Sequence, residues 1–280
     1  VIKDGNAVID TFTSTGGASV RTLTLAPGTH LLSVEVTDDA GNRSVQSSEL
    51  VVTIDRAAPA DPATPDLLAT SDTGISNTDD ITGIHALALT GTAEANAKVR
   101  LMIGTTIIGQ GTVGSNGVWE ITTEPLADGT HDIGVEVEDL AGNINITQMN
   151  KLSVKVDTKA GQRPTINLHD ADDTGMSDLD NVTIGDPALA ARIMDFAVTT
   201  DADTQSVVLK HGNTVLTNVT TPAITSAFPI PAGTTLVRLD FSGIGDGAYP
   251  LSVEATDVAG NVSAQSAELV LTVDATDPAA

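Results

Sequence analysis

Apolar residues recur at every second position in short runs along the chain, as in Leu87 and Leu89, then Val99, Leu101 and Ile103, then Ile133, Val135 and Val137. A period of two puts those side chains on one face of an extended strand and the polar or small residues between them on the other. The runs are rich in Val, Ile and Thr and are separated by Gly, Asn and Asp clusters, which predicts strands joined by turns. Helical text is confined to Asp186-Pro187-Ala188-Leu189-Ala190-Ala191-Arg192, an Asp N-cap with Pro in the first turn, and one helical turn at most is expected there.

The pattern recurs. Gly28-Thr29-His30 through Asp38-Asp39-Ala40-Gly41-Asn42 aligns with Gly129-Thr130-His131 through Asp139-Leu140-Ala141-Gly142-Asn143, and again with Gly247-Ala248-Tyr249 through Asp257-Val258-Ala259-Gly260-Asn261. Each block leads to an alternating segment that closes on an aspartate: Asp55, Asp157 and Asp274. The turn glycines Gly41, Gly142 and Gly260 set spacings of 101 and 118 residues, so the unit is about 100 residues long and is lengthened once. A second motif, Asp72-Thr73-Gly74 through Asp79-Asp80-Ile81-Thr82, returns as Asp173-Thr174-Gly175 through Asp180-Asn181-Val182-Thr183. Asp-x-Ala-Gly-Asn between two strand runs reads as a hairpin turn in which Gly supplies the positive φ.

About seven strands per unit gives the fold class: all-β, tandem immunoglobulin-like β-sandwiches in an extended head-to-tail rod. Residues 1–57 read as the C-terminal part of a first repeat, 58–158 as a second, 159–276 as a third with insertions around 184–193 and 218–243, and 277–280 as the start of a linker. Projecting the repeat backwards places roughly 40 residues ahead of Val1. Half a sandwich alone is expected to leave edges and core uncovered.

Composition narrows the function. The chain carries 13 Lys+Arg against 37 Asp+Glu, a net charge of −24. Such a surface repels phosphate, which excludes nucleic-acid binding, and it disfavours anionic lipid. With no run of about 18 apolar residues, no membrane insertion is expected. The acids are 28 Asp and 9 Glu, and Asp is a turn, cap and cation-ligand residue. The absence of Cys excludes disulfides, thiolate nucleophiles and Cys-ligated metals. No Gly-x-Ser-x-Gly elbow, His-Glu-x-x-His helix or glycine-rich phosphate loop occurs, so no enzyme is expected.

The topology of an immunoglobulin-like sandwich sets the loop after the first strand beside the exit of the last strand. Asp72, Asp79, Asp80 and Asp128 then share one pole with Asp157, as Asp173, Asp180, Asn181 and Asp246 do with Asp274. The hairpin turn and the loop holding Glu94 face the opposite pole. Stacked units bring Asp55 to Asp139 and Glu94, and Asp157 to Asp257 with Asp201 or Asp203 in the place of Glu94. Converging carboxylates repel unless a cation sits among them. All-oxygen ligation of this kind suits Ca²⁺, so several structural Ca²⁺ ions are expected, mostly at junctions. Taken singly, Asp4, Asp10, Asp61, Asp132 and Asp240 read as turn and cap residues. His30, His131 and Tyr249 share the corner entering the sixth strand, where a ring can bond back to the main chain. Trp119 reads as a core residue, with a sugar-stacking platform as the other possibility.

Asp72 to Thr82, Leu89-Thr90-Gly91-Thr92-Ala93-Glu94, Gly117-Val118-Trp119-Glu120, Leu126 to His131 and the Asp-x-Ala-Gly-Asn turns together resemble the bacterial Ig-like repeats of giant surface adhesins exported by type I secretion. The resemblance implies an extracellular stalk, monomeric and stiffened by Ca²⁺ between neighbouring Ig-like repeats of the same chain, that carries an adhesive tip to host cells. The third repeat departs from the pattern, and a ligand-binding module there, for a host-cell surface glycan or protein, is the alternative. An accessory region of a secreted hydrolase is a second alternative.

Overall fold

The computed structural model describes all residues except 75, 171, 176–179, 184–192, 217–218, 221–233, 241–244 and 275–280. Every named element among the described residues is a β-strand. Two compact units form, one of Val1–Asp66, Thr90–Ile121 and Ile133–Leu152, the other of Leu67–Leu89, Thr122–Asp132 and Ser153–Ala280. The middle repeat contributes segments to both.

In the first 57 residues, β1 (Ile2–Asp4), β2 (Ala7–Asp10), β3 (Gly28–Val34) and β4 (Leu50–Ile54) build one antiparallel sheet in the order β2-β1-β3-β4. Gly5, at φ 55°, makes the turn between β1 and β2. This sheet is a single layer. Val34, Val36 and Leu50 are 42%, 58% and 63% exposed, whereas the residues at the same places in the last repeat, Val253, Ala255 and Leu269, are 0%, 6% and 8% exposed.

The middle repeat comprises β5 (Asp66–Leu67), β6 (Ile81–Thr82), β7 (Ala88–Thr92), β8 (Lys98–Ile103), β9 (Thr106–Thr112), β10 (Val118–Thr122), β11 (Gly129–Glu138) and β12 (Ile144–Val156), in sheets ordered β10-β7-β5 and β6-β12-β11-β8-β9. The residues of the period-two runs are buried: Leu87, Leu89, Val99, Leu101, Ile133, Val135 and Val137. Trp119 is buried too, which removes it as a sugar platform. Its ring lies against Gly91, where an added Cβ would stand 2.4 Å from a ring carbon. Glycine is therefore required at position 91 by close approach rather than by backbone angle. On the outer face, Arg100 of β8 bridges Glu136 and Glu138 of the neighbouring β11.

The last repeat comprises β13 (Thr165–Leu168), β14 (Val182–Thr183), β15 (Ile193–Thr199), β16 (Thr204–His211), β17 (Thr214–Val215), β18 (Val219–Thr220), β19 (Thr234–Asp240), β20 (Gly247–Asp257) and β21 (Leu269–Val273). Its sheets run β13-β15-β19-β18 and β14-β21-β20-β16-β17. Leu168, Met194, Phe196, Val198 and Val237 from the first meet Leu209, Leu251, Val253, Leu271 and Val273 from the second in one core. The sequence expectation that 218–243 is inserted material needs correction: β19 lies inside it, pairs with β15 over seven residues, and buries Val237 completely. The helical turn expected over 186–192 lies outside the described residues.

The shared ring position behaves as the corner its sequence suggests. Nε2 of His30 and of His131 donates to the carbonyl four residues earlier, Ala26 at 2.8 Å and Ala127 at 2.7 Å, and the Tyr249 hydroxyl donates to Gly245 at 2.7 Å. His30 also pairs with Asp4 at 2.6 Å, which raises the imidazole pKa and lowers that of the carboxyl.

The contact between Gly91 and Trp119 generates a prediction. Gly91→Ala overpacks the core and is expected to destabilise the middle repeat by about 1–3 kcal/mol, lowering its melting temperature and shifting the emission of this sole tryptophan to the red. Unchanged emission and melting would show that the ring has room to move aside.

Candidate functional site

The hairpin turn is the most regular piece of chemistry in the chain. Asp139 accepts the Ala141 and Asn143 backbone N–H groups on Oδ1, each at 2.8 Å, and the Asn143 amide on Oδ2 at 2.8 Å. Asp257 accepts from Asn261 in the same way, through the backbone at 2.9 Å and the side chain at 2.9 Å, and Asp38 from Asn42 at 2.8 and 2.9 Å. Each turn carries its glycine at φ 86–88°, a left-handed conformation that would strain any other residue there. Asp139 and Asp257 are 8% and 3% exposed, so these bonds satisfy carboxylates that would otherwise be buried at a high cost. The Asn side chains, first among the donors, hold the Asp38 and Asp139 carboxyls below their ordinary pKa.

In both units the turn also touches the strand end of the repeat before it. In the first unit, Asn143 Nδ2 donates to the Asp55 carbonyl at 3.3 Å, and Asn145 donates to the Pro59 carbonyl at 2.7 Å and to Asp61 at 2.9 Å. In the second unit, Asn261 Nδ2 donates to the Asp157 carbonyl at 2.7 Å. There the turn also lies on the loop between β5 and β7: an added Cβ at Gly74 would stand 2.4 Å from the Val258 carbonyl oxygen, and one at Gly260 would stand 2.6 Å from that of Thr73. The juxtapositions of Asp55 with Asp139 and of Asp157 with Asp257 thus run through an asparagine and a main-chain carbonyl.

At the other pole, β6 pairs in parallel with the end of β12, and β14 with the end of β21. Lys155 N–H donates to the Asp80 carbonyl at 2.9 Å and Asp157 N–H to that of Thr82 at 2.8 Å, while Thr272 and Asp274 donate to Asn181 and Thr183, each at 3.0 Å. The loop therefore does lie beside the exit of the last strand. Asp80 and Asn181 sit at φ 58° and 57°, a left-handed setting that Asp and Asn tolerate best among non-glycine residues. Their N–H groups donate to Asp72 at 3.4 Å and to Asp173 at 3.1 Å. Oδ1 of Asp173 is buried without a hydrogen-bond donor, and Asp180, which accepts the Val182 N–H at 3.1 Å, lies close by. Burial first, and the negative charge of Asp180 after it, push the Asp173 carboxyl above its ordinary pKa.

The other aspartates divide by what they already hold. Asp128 accepts Thr158 N–H and Oγ1 on one oxygen and Lys159 Nζ at 2.8 Å on the other. Asp201 accepts the Gln162 N–H, so it ties down the segment leading into the last repeat. Asp55 and Asp79 each accept a backbone N–H two residues on, Asp203 offers its main-chain carbonyl to Val258, and Glu94, Asp246 and Asp274 are exposed. Among the described residues, no three acidic or histidine side chains converge as a group that could hold a metal. Asp173 with Asp180 is a pair of hard oxygen donors of the type that suits Ca²⁺. Sequence reasoning missed the amides of Asn143 and Asn261, although their recurrence at one turn position was visible.

Residues 59–158 and 160–275 each match the bacterial Ig-like domain family, and the chain belongs to that family. Among solved structures, it is similar to a Ca²⁺-stabilised adhesin that helps an Antarctic bacterium reach out and bind ice (25% identity, 88% of this chain and 57% of that one, TM-score 0.39). It is also similar to fibronectin(III)-like modules of Clostridium thermocellum CbhA (16% identity, 69% and 87%, TM-score 0.37). A third likeness is to a 1.5-MDa bacterial ice-binding adhesin studied for host cell surface retention (20% identity, 89% and 75%, TM-score 0.36). The chain spans 57% of the length of the first of these. A comparison with curated protein sequences finds no match. No helix among the described residues is long and apolar enough to cross a membrane.

The Asp128 clamp can be tested through its titration. Lys159 foremost, with Thr158, lowers the Asp128 pKa to about 2. A depressed folded-state pKa means that the clamp contributes fully above the ordinary value of 3.8 and is lost as pH falls through about 2. The Thr158 amide resonance is expected to titrate with its midpoint near the lower value. A midpoint near 3.8 would show that the carboxylate is not held.

Proposed function

We propose that the chain is a non-enzymatic stalk or adhesion segment of a giant bacterial surface adhesin of the non-fimbrial, type I-secreted kind. Its Ig-like repeats are stiffened by Ca²⁺ and carry an adhesive region towards a host-cell glycan or protein, outside the bacterial cell. The observation that carries this reading is the buried Oδ1 of Asp173, which receives no hydrogen bond while a second carboxylate, Asp180, lies beside it. A buried carboxylate oxygen with no donor is costly, and a second negative charge adds to the cost; a divalent cation relieves both. Two tandem bacterial Ig-like domains, the net charge of −24 and the absence of cysteine fit an extracellular module reinforced by calcium rather than disulfides. In the domain division that accompanies this reading, 1–57 belong to a first repeat, 58–158 and 159–276 are the next two, and 277–280 open a linker.

Calcium should raise thermal stability by mass action. With a dissociation constant of about 10⁻³ M, as in extracellular calcium modules, 10 mM Ca²⁺ adds about 1.4 kcal/mol per site. Asp173→Asn should remove part of that gain and should stabilise the calcium-free protein by relieving repulsion. Melting curves and scattering profiles that are identical with Ca²⁺ and with chelator would refute the reading.

A second reading has one observation in its favour. Arg238 grips Asp195 with both arms at 2.7 and 2.8 Å, Asp195 N–H donates to Asp172 at 2.8 Å, and burial raises the Asp172 pKa. The middle repeat has Ser71 bonded to the Ala88 N–H in the corresponding place. A charged group where the middle repeat has a serine suits recognition of a glycan or protein there, and a glycan array probed with the intact chain and with Asp172→Asn tests it: equal signals would remove this reading.

A further inference from the structure

The side-chain amides of Asn143 and Asn261 do more than close a turn. Each stands between its own turn carboxylate and distant main-chain carbonyl oxygen. Asn143 Nδ2 donates to its own Asp139 at 2.8 Å and to the main-chain carbonyl of Asp55 at 3.3 Å, 88 residues away. Asn261 Nδ2 donates to its own Asp257 at 2.9 Å and to the carbonyl of Asp157 at 2.7 Å, 104 residues away, with the Lys159 carbonyl a longer acceptor at 3.4 Å. In both cases the distant acceptor is the aspartate that immediately follows the last strand of the preceding repeat. A primary amide has two N–H groups, and the turn uses one to orient the side chain while the other reaches outward.

We infer that Asn143 and Asn261 are positioning residues that dock the last strand of one repeat onto the hairpin turn of the next, through a main-chain carbonyl and independently of any cation. Recognition of a carbonyl does not depend on the identity of the side chain presented, so a single turn motif can serve every junction of a repeat array. The carboxylate of Asp139 or Asp257 pre-orders the amide, which lowers the side-chain entropy lost on docking. In the second unit the docked state is reinforced by backbone packing: Ala259 is 1% exposed, and neither Gly74 nor Gly260 has room for a Cβ. Asn42 carries the same turn and the same bonds to Asp38, with no carbonyl opposite its side chain among the described residues. It is the internal control.

The docked segments contain trypsin sites at Arg56 and Lys159, both exposed. In the intact chain, Asn143→Ala should speed cleavage after Arg56, and Asn261→Ala after Lys159, by roughly three- to tenfold, the effect of losing one net hydrogen bond that holds the segment closed. Asn42→Ala, which loses the turn bond alone, should leave both rates unchanged. Asn→Asp at 143 or 261 should match or exceed the Ala effect, because it replaces a donor with a charge facing two oxygens. If the Ala variant fails to fold, Asn261→Ser serves, since its hydroxyl can still cap Asp257 but is too short to reach the carbonyl. The acceleration should persist with chelator present. Wild-type cleavage rates in folded Asn143 and Asn261 variants, or an equal acceleration in Asn42→Ala, would overturn the inference. A wild-type chain insensitive to chelator would instead refute calcium stiffening and leave the clasp standing.

Discussion

Burying a carboxylate is costly unless its oxygens receive donors, and in the middle and last repeats the hairpin turn supplies them. Asp139 and Asp257 lie among the buried residues, yet a backbone N–H and an amide from the same five-residue turn supply their partners. The glycine at positive φ makes this possible, because the chain must reverse sharply to point its own N–H groups at the carboxylate. Once the turn is closed, the two strands it joins have a fixed register, and the outward amide has a fixed direction. The fold inside the repeat and the contact outside it therefore depend on the same few bonds.

The strands themselves follow from alternation and from shape. Where two sheets face each other, the period-two residues are buried, as in the core that joins Phe196 to Val253 and Leu271. Where one sheet stands alone, the same positions stay exposed, as Val34 and Leu50 show. Identical patterning thus gives opposite burial according to whether a second layer is present, and a period of two encodes a face without encoding what covers it. Trp119 adds a constraint of volume, since its ring occupies the space a side chain at position 91 would need.

Much of this was legible from the residues. The repeat spacing located the strands, the turns and the ring corner at His30, His131 and Tyr249, because each rests on local chemistry that recurs at a fixed position. The extent of the insertion in the last repeat was not legible. Thr234–Asp240 has no aromatic or glycine landmark in common with Val118–Thr122, so its place as a core strand emerges only from its pairing with β15. Nor was the reach of Asn143 and Asn261, because a main-chain carbonyl some hundred residues away carries no side-chain signature. Asp128 shows the same limit from the other side: a carboxylate read as a cation ligand holds a lysine of its own chain.

That last case sharpens the meaning of the net charge. Thirteen basic side chains against 37 acidic ones cannot neutralise every carboxylate, and the structure shows where they and the amides are spent. Lys159 sits on Asp128, Arg100 on Glu136 and Glu138, Arg238 on Asp195, Lys3 on Glu35 and Lys210 on Glu254. The hairpin aspartates are served by neutral amides, which satisfy an oxygen without cancelling its charge. Asp173 and Asp180 have backbone donors, but no basic side chain forms an ion pair with either among the described residues. Placed together, with Asp173 buried and Asp180 exposed, they concentrate negative charge at the loop beside the end of β21, whereas the asparagine clasps act at the opposite end of the middle and last repeats. Docking through a neutral amide thus uses different atoms from those that concentrate the negative charge.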